Sequence, residues 1–275
     1  MTPDLAAKTE RLTALIESYG SVIVAYSGGI DSSLVAYVAA ERLGARALAV
    51  TSGSASLKRS DLALAETLAG RWGLRHRVIV TDELDKADYR ANPVNRCFHC
   101  KTSLYDALAV IAREEGIEHV LNGTNLDDLG DHRPGLVAAE EHGVKSPLVE
   151  AGFTKADIRA LAHALGLENA AKPQSACLSS RFPYGTAIDP EKLARVEAAE
   201  AVLESLGFSQ FRVRHHEDIA RLELLPEDLP RALAAREELY RRVKACGYRF
   251  VALDLAGFRS GSLNEGVVTL VNRVG

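Results

Sequence analysis

Up to residue 125, short apolar segments alternate with longer segments whose apolar residues recur at helical spacing. β-Strands are predicted at residues 22–26, 45–50, 75–80 and 119–122. Helices are predicted at residues 5–19, 27–43, 60–72 and 97–115. Strands that alternate with helices form parallel sheets covered on both faces. Residues 1–166 are therefore predicted to be a doubly wound α/β domain.

The pattern changes after residue 166. Residues 172–190 are rich in Pro, Ser and Gly and predict a long ordered loop, within a linker at 167–190. Two helices and three strands are predicted beyond it, at 190–206, 210–215, 219–224, 229–245 and 248–253. Two helices against a small, mostly antiparallel sheet predict a smaller α+β domain over residues 167–275.

Composition narrows the class of protein. The 275 residues are 47% hydrophobic and 25% charged, which is enough apolar surface for a packed core and excludes a disordered chain. A formal charge of −4 provides no general attraction for nucleic acid. No apolar run is long enough to cross a bilayer, and residues 1–10 lack the apolar core of a signal peptide. We expect a cytoplasmic protein with neither a nucleic-acid nor a membrane partner.

The first predicted strand ends in the sequence SGGIDS at residues 27–32, where a helix begins. Paired glycines let the backbone approach an anion, and helix-start amides and serine hydroxyls can donate to phosphate. Asp31 can hold Mg²⁺. The alternative is a glycine-rich turn that binds nothing. The motif is neither GxxxxGK[ST] nor GxGxxG, so neither γ-phosphate transfer nor dinucleotide binding is indicated.

Three of the four cysteines lie in settings that suggest chemistry. Cys97 and Cys100 form a C-x-x-C pair at a helix start, which favours thiolates, although two packed inert thiols remain an alternative. Without a second such pair, structural zinc is disfavoured. Cys177 lies among hydroxyls and a cation, a setting that suits a reactive thiolate. Cys246 is predicted to be a core residue.

Two arginines share one face of a predicted strand. Arg212 and Arg214 alternate with Phe211 and Val213, so the arginines project from the face opposite the core. Two guanidinium groups in this arrangement could bind a phosphate. The alternative is a pair of exposed surface charges. Similarly, the Asp-rich turn at residues 125–128 could contact Mg²⁺ or a ribose, or could cap a helix.

The SGGxDS motif resembles the signature of the PP-loop ATP pyrophosphatases, which have the adenine nucleotide alpha hydrolase-like fold. Members cleave ATP between the α and β phosphates, adenylate a substrate oxygen and then displace AMP. The resemblance implies ATP and Mg²⁺ as cofactors. It implies an ATP site made of Ser27, Gly28, Gly29, Asp31, Ser32, Thr51, Ser52, Gly123 and Thr124.

Two further motifs, NRCxxCK at residues 95–101 and PxxxCLxSRxPYG at residues 173–185, are similar to the LarE family of ATP-dependent sulfur transferases. The likeness continues to residues 257–259. It implies adenylation of the carboxylates of pyridinium-3,5-biscarboxylic acid mononucleotide and their conversion to thiocarboxylates for the nickel-pincer nucleotide. The partners implied are this small nucleotide substrate, an unidentified sulfide donor, other enzymes of the nickel-pincer pathway and further copies of the chain in a homo-oligomer.

The LarE family has two styles of sulfur supply. In one, a cysteine matching Cys177 gives up its own sulfur; in the other, three cysteines hold a [4Fe-4S] cluster. Cys97, Cys100 and Cys177 match the cluster style, with Cys177 as the fallback donor. The resemblance implies catalytic roles for Cys177, Lys101 and Asp31. It also implies substrate-phosphate contacts from Ser180, Arg181, Arg212, Arg214 and Arg259, and metal ligands at Glu200 and Glu223.

Three other functions compete with this hypothesis. A PP-loop tRNA thiolase would need a basic surface or an RNA-binding module, because phosphate contacts dominate such binding. An ammonia-dependent synthetase of the NAD or GMP type would not need Cys177 in a polar motif. A catalytically inactive nucleotide-binding scaffold would not need Ser27, Asp31 and Lys101 together.

Overall fold

The computed structural model describes residues 2–130, 134–173, 175–259 and 261–264. It divides into two compact units. The first unit comprises Met1–Tyr89 and Val94–Ser175, and the second comprises Arg90–Pro93 and Ala176–Gly275. The chain thus leaves the first unit inside the predicted linker. None of the helices in the described residues is long and apolar enough to span a membrane.

The elements from the start of the chain to residue 164 alternate as predicted as far as the fourth strand. They are α1 (Pro3–Ser18), β1 (Val22–Ala25), α2 (Ile30–Leu43), β2 (Ala47–Ser52), α3 (Arg59–Arg71), β3 (His76–Ile79), α4 (Ala87–Arg90), α5 (Arg96–Glu115), β4 (His119–Leu121), α6 (Pro134–Glu141), α7 (Pro147–Glu150) and α8 (Lys155–Ala164).

The four strands form one parallel sheet in the order β3-β2-β1-β4. The central strand β1 is apolar on both faces, as expected for a parallel strand buried between two layers of helices. Val22 and Val24 pack in the cluster that includes α1, α2 and α8. Ile23 packs in a separate cluster with residues of α5 and α6. The predicted doubly wound α/β fold is confirmed.

The second unit contains α9 (Pro190–Ser205), β5 (Phe211–His216), β6 (Ile219–Leu224), α10 (Leu229–Ala234), α11 (Arg236–Ala245) and β7 (Phe250–Leu253). Its sheet has the order β5-β6-β7. β5 and β6 are antiparallel, but β6 and β7 are parallel, so the prediction of a mostly antiparallel sheet is wrong at β7. The cause is the helical connection after β6, which returns the chain to the end where β6 began.

The long helix predicted at 229–245 is two helices. Ala235 separates α10 from α11 with φ −91° and ψ 12°, outside the helical region. No Gly or Pro marks the break, so the residue pattern alone did not indicate it.

His215 is a buried polar residue in the second unit. Its ring lies 4.8 Å from that of Phe182 and 5.7 Å from that of Tyr248, measured between centroids. Nδ1 lies 3.2 Å from the Tyr248 hydroxyl, while Nε2 has no hydrogen-bond partner within the described part of the chain. Burial lowers the pKa of His215 to about 4.

We expect the second unit to lose stability as the pH falls from about 6.5 toward about 4, because the unfolded chain takes up a proton on His215 before the folded chain does. The loss should be roughly 1–3 kcal/mol. Urea unfolding at pH 7, 6, 5 and 4 measures it. His215→Phe should flatten the dependence, whereas the exposed-site control His163→Gln should not. Equal slopes in all three proteins would contradict the assignment.

Candidate active site

The loop at residues 27–29 joins β1 to α2 at the carboxyl edge of the sheet, where open α/β sheets bind ligands. Gly28 has φ +70°, a conformation that side chains disfavour. A Cβ on it would lie 2.9 Å from the Cβ of Ala65 in α3. Glycine is therefore required here by both conformation and space.

Hydrogen bonds inside the loop hold its two predicted serines. The Ser27 and Ser32 hydroxyls are 3.1 Å apart, the Gly29 amide donates to Ser27 Oγ at 3.3 Å, and Ser32 Oγ donates to the Gly29 carbonyl at 3.1 Å. In the described residues no side chain caps the start of α2 at Gly29. The first amides of α2 can therefore donate to an anion.

The end of β4 closes against the same helix start. A Cβ on Gly123 would lie 2.6 Å from the Ser32 nitrogen, so only glycine permits this approach. The next residue, Thr124, donates its amide to Asn122 Oδ1 at 3.0 Å. The structure thus brings Gly123 and Thr124 next to the loop at residues 27–32, as the sequence predicted for strand ends in one sheet.

Lys155 lies at this edge of the sheet, although no motif of the sequence indicates it. Its ammonium group, on the first residue of α8, lies 2.6 Å from Asp31 Oδ1. Asn125 Nδ2 donates to the same oxygen at 3.4 Å. The Lys155 amide donates to Asp127 Oδ2, and Asp128 caps the turn by accepting from the Asn125 amide at 3.1 Å. Asp128 therefore caps this turn, as one alternative predicted, while contact of the turn with Mg²⁺ or a ribose stays a prediction.

Thr51 and Ser52 end β2, but their hydroxyls are already bonded. Thr51 Oγ1 donates to the Tyr26 carbonyl at 2.7 Å and lies 2.8 Å from His76 Nε2. Ser52 Oγ lies 2.7 Å from Thr81 Oγ1. Both side chains help to fix the sheet edge, and a role in holding adenosine stays a prediction.

Cys97 and Cys100 lie in the first turns of α5, three residues apart and so on one side of it. Cys97 is exposed and Cys100 is half-buried. Lys101 follows them in the same helix, with Nζ 5.9 Å from the Tyr105 ring centroid and its aliphatic chain next to Gly135 of α6. Over residues 2–130, 134–173, 175–259 and 261–264, no three His, Cys, Asp or Glu side chains form a group able to hold a metal ion.

In the second unit, the backbone around Cys177 is fixed while its thiol is half-exposed. The Cys177 carbonyl accepts bonds from the Ser180 amide at 3.0 Å, the Ser180 hydroxyl at 2.8 Å and Arg181 Nη1 at 3.0 Å. Arg181 has no exposed surface and makes a two-pronged ion pair with Glu200, at 2.8 and 3.0 Å. Arg181 therefore stabilises the backbone of the Cys177 loop from the interior of the second unit.

Arg212 and Arg214 do share one face of β5, with Phe211 and Val213 buried on the other. Arg214 is buried and paired with Glu223 at 2.9 Å, and it donates to the Ser180 carbonyl at 2.7 Å. Arg214 therefore connects the arginine face of β5 to the Cys177 loop.

Glu200 and Glu223, the predicted metal ligands, are both buried against arginines. Glu223 pairs with Arg214 and, at 3.1 Å, with Arg221. Glu200 also accepts from the Val213 amide at 3.1 Å, in addition to its pair with Arg181. Each carboxylate is therefore neutralised by protein, and metal binding by them stays a prediction.

Arg212 differs from its neighbours because it forms no ion pair with any described residue. Its guanidinium lies 5.0 Å from the Phe258 ring centroid and donates to the Phe211 carbonyl at 2.7 Å. Burial, and next the charge of Arg181, lower its pKa to about 10, so it stays protonated at neutral pH. Glu200 and Glu223 also act on this charge, but each is paired with another arginine, so Arg212 is a half-buried guanidinium with no ion-pair partner among the described residues.

Residues 257–259 complete this region. Gly257 has φ +70°, and a Cβ on it would lie 2.7 Å from the Leu224 carbonyl, which accepts the Phe258 amide at 2.6 Å. This close approach holds the Phe258 ring over Arg212. The next residue, Arg259, is half-buried. The sequence predicted Arg259 but not the aromatic ring.

Comparison with known proteins agrees with this geometry. A family model described as asparagine synthase matches residues 15–125. The parallel sheet and the SGGIDS loop define a PP-loop ATP pyrophosphatase. The chain is 43% identical to an uncharacterized protein of Synechocystis over 95% of this chain and 98% of that protein. It is 40% identical to the pyridinium-3,5-bisthiocarboxylic acid mononucleotide synthase of Lactiplantibacillus plantarum, over 95% of each. The chain belongs to the LarE family of ATP-dependent sulfur transferases.

A more distant relative points to the same kind of chemistry. The chain is 28% identical to a probable tRNA sulfurtransferase of Methanothermobacter thermautotrophicus, over 66% of this chain and 49% of that protein. The match therefore covers only about half of that relative.

Proposed function

We propose that this enzyme uses ATP to adenylate the carboxylates of pyridinium-3,5-biscarboxylic acid mononucleotide and replaces AMP by sulfur, forming thiocarboxylates. One observation carries the proposal: the half-buried Arg212, which forms no ion pair with any described residue, lies on the strand face that Arg214 connects to the loop of Cys177. Such a site suits a small anionic nucleotide next to a thiol. The 40% identity with the named synthase supports the choice of substrate.

In the adenylation step, a substrate carboxylate oxygen attacks the α-phosphorus of ATP and pyrophosphate leaves. The loop at residues 27–32 would hold the phosphates through the uncapped amides of α2, and Asp31 would hold Mg²⁺. Asp31 is now occupied by Lys155, so a cation already lies where the metal would bind. Lys101 would neutralise phosphate charge as it develops.

In the second step, sulfur attacks the acyl carbon and AMP leaves. Cys97, Cys100 and Cys177 are free cysteines, and sulfur is the ligand atom that an iron–sulfur cluster requires, so we propose these three as the ligands of a [4Fe-4S] cluster. When bound, a cluster with three protein ligands leaves one iron able to take a sulfide. Without it, the Cys177 sulfur would displace AMP to give a thioester, and loss of the Cα proton with cleavage of the Cβ–S bond would then leave dehydroalanine and release the thiocarboxylate. We further propose a cytoplasmic homo-oligomer.

The experiment that tests the proposal follows ATP and the mononucleotide together under anaerobic conditions. We expect substrate-dependent release of AMP and pyrophosphate, and a product heavier by one oxygen-to-sulfur exchange per carboxylate. Release of ADP and phosphate would exclude this function. Thiolation of tRNA, with no reaction of the mononucleotide, would favour the tRNA thiolase alternative.

Arg212→Ala should weaken binding of the substrate mononucleotide by roughly 1.5–3 kcal/mol, because one charge-assisted contact to its phosphate is lost. Calorimetric titration measures this affinity alongside that of ATP, which should stay nearly unchanged. Arg249→Ala, an exposed arginine of the same unit, is the matched control and should bind normally. An equal fall in ATP affinity would show that the two sites are wrongly divided.

A further inference from the structure

Asn169 is a buried amide at the loop that the function above assigns to ATP. It follows α8, is 4% exposed, and belongs to none of the motifs of the sequence. Its Nδ2 donates to the Gly28 carbonyl at 3.0 Å and to Ser33 Oγ at 2.8 Å. A residue from the far end of the first unit therefore holds the backbone of the loop.

We propose that Asn169 is the positioning residue that orients the phosphate-binding loop for ATP; this inference rests on the proposed function. The reason lies in the planar trans peptide, in which the carbonyl and the following amide point in opposite directions. By holding the Gly28 carbonyl inward, Asn169 turns the Gly29 amide outward. Gly29 is half-buried, and its amide donates to the hydroxyl of the exposed Ser27 at 3.3 Å, so the direction of this peptide also sets the position of the Ser27 side chain.

The hydrogen bonds of Asn169 argue against a role in stability alone. Its Oδ1 is buried and has no hydrogen-bond partner within the described part of the chain. A buried acceptor without a partner is unfavourable, so a site selected only for stability would favour an apolar residue. The opposite amide orientation would place Oδ1 against the Gly28 carbonyl, and two acceptors repel. The NH₂ group toward the loop is thus the part that matters.

The chain around Asn169 is anchored near the same loop. Further along, Lys172 and Ser175 both bond to Asp61 in the first turn of α3, at 2.8 and 2.6 Å. The same helix supplies Ala65, which abuts Gly28. Two constraints therefore act on the peptide at residue 28: Ala65 excludes a side chain, and Asn169 sets the direction of the carbonyl.

The test is ATP binding to the full chain with Asn169→Ala, measured by titration with the non-cleavable analogue α,β-methylene-ATP and by KM and kcat for AMP release. We expect the dissociation constant and the KM for ATP to rise about tenfold, corresponding to the loss of one buried hydrogen bond. Affinity for the substrate mononucleotide should be unchanged. Hydrogen exchange of the amides at residues 28–32 should become at least fivefold faster, roughly in proportion to the lost bond.

Ser33→Ala is the matched control. It removes the other hydrogen bond of the same Nδ2 group but leaves the bond to Gly28 in place. We expect Ser33→Ala to lower the free energy of unfolding about as much as Asn169→Ala does. Its affinity for ATP should stay within about twofold of that of the unsubstituted protein. Asn169→Asp provides a second variant of nearly the same size in case the alanine protein does not fold; its carboxylate cannot donate to Gly28, so ATP binding should again weaken.

Two results would overturn the inference. In one, the Asn169 variants bind the ATP analogue as the unsubstituted protein does. In the other, Ser33→Ala weakens binding as much, which would make the effect one of general stability. These results can be told apart from a failure of the proposed function. If the unsubstituted protein bound no ATP, both the proposed function and the inference would be wrong. If it showed normal ATP chemistry and the Asn169 variants were unaffected, only the inference would be wrong.

Discussion

Cys177→Ala is expected to abolish sulfur transfer while substrate-dependent formation of pyrophosphate continues. Under the proposed function, Cys177 would supply either the sulfur or a cluster ligand, and alanine provides neither. The loop should survive the change, because the bonds that fix it end on the Cys177 carbonyl and not on its thiol. Pyrophosphate release and product mass, measured in the same anaerobic reaction, separate the two steps.

Cys246→Ala is the matched control for this variant. Cys246 is also a half-buried cysteine of the second unit, but its thiol bonds to the Arg242 carbonyl within α11. We expect sulfur transfer to be normal in this protein. Full transfer by Cys177→Ala would refute the role of Cys177.

Cys97→Ser and Cys100→Ser distinguish the two ways of supplying sulfur. If three thiolates hold a cluster, hard oxygen replaces a soft ligand poorly, and iron content, visible absorption and activity should fall together. If Cys177 is the donor, transfer should persist, and the mass of the protein should show loss of H₂S from Cys177 after one turnover.

Asp31→Ala is expected to reduce AMP formation by about 10²-fold or more, the usual effect of removing one preorganised charged group from a phosphoryl-transfer site. The change removes the proposed Mg²⁺ ligand and also leaves the Lys155 ammonium without its carboxylate. The rate of AMP release at several Mg²⁺ concentrations measures the effect. Circular dichroism must accompany it, because Asp31 also lies in the first turn of α2.

Asp82→Ala is the control for a carboxylate of the same unit. Asp82 is exposed and pairs with Lys86 four residues away, a surface contact of little energetic weight. Its AMP formation should match that of the unsubstituted protein. Unchanged turnover by Asp31→Ala would exclude the assignment of the loop at residues 27–32 to ATP.

The first unit follows from its sequence to within a few residues at each strand, because a parallel strand with both faces covered must be apolar throughout. β1 shows the reason: Val22, Ile23 and Val24 are buried in clusters on both faces of the sheet. The strand pairing of the second unit is harder to predict from the sequence. An apolar strand such as β7 does not record which neighbour it pairs with or in which direction.

The residues of the candidate site also fall into two groups, those that the sequence predicts and those that depend on tertiary contacts. Gly28 and Gly123 can be predicted from the sequence, because a glycine is needed wherever the backbone approaches a neighbouring residue too closely for a side chain. Lys155 and Asn169 cannot be predicted in this way, because each acts through a tertiary contact. Their partners, Asp31 and Gly28, lie more than 100 positions away in the sequence. The family resemblance implies that Arg181 contacts the substrate phosphate, whereas its guanidinium here bonds to Glu200, to the Ser180 hydroxyl and to backbone carbonyls.

Because Arg212 forms no ion pair with any described residue, the choice of buffer should affect both the stability and the activity of this enzyme. A ligand that binds only the folded state raises the free energy of unfolding in proportion to the logarithm of its concentration. Phosphate, sulfate and pyrophosphate are small anions of the kind that such a site attracts. Buffers containing them would act as weak competitors of the mononucleotide and as stabilisers of the second unit. We therefore expect melting temperatures and inhibition constants measured in phosphate to differ from those measured in a zwitterionic buffer, because the proposed anion site would be filled only in the first.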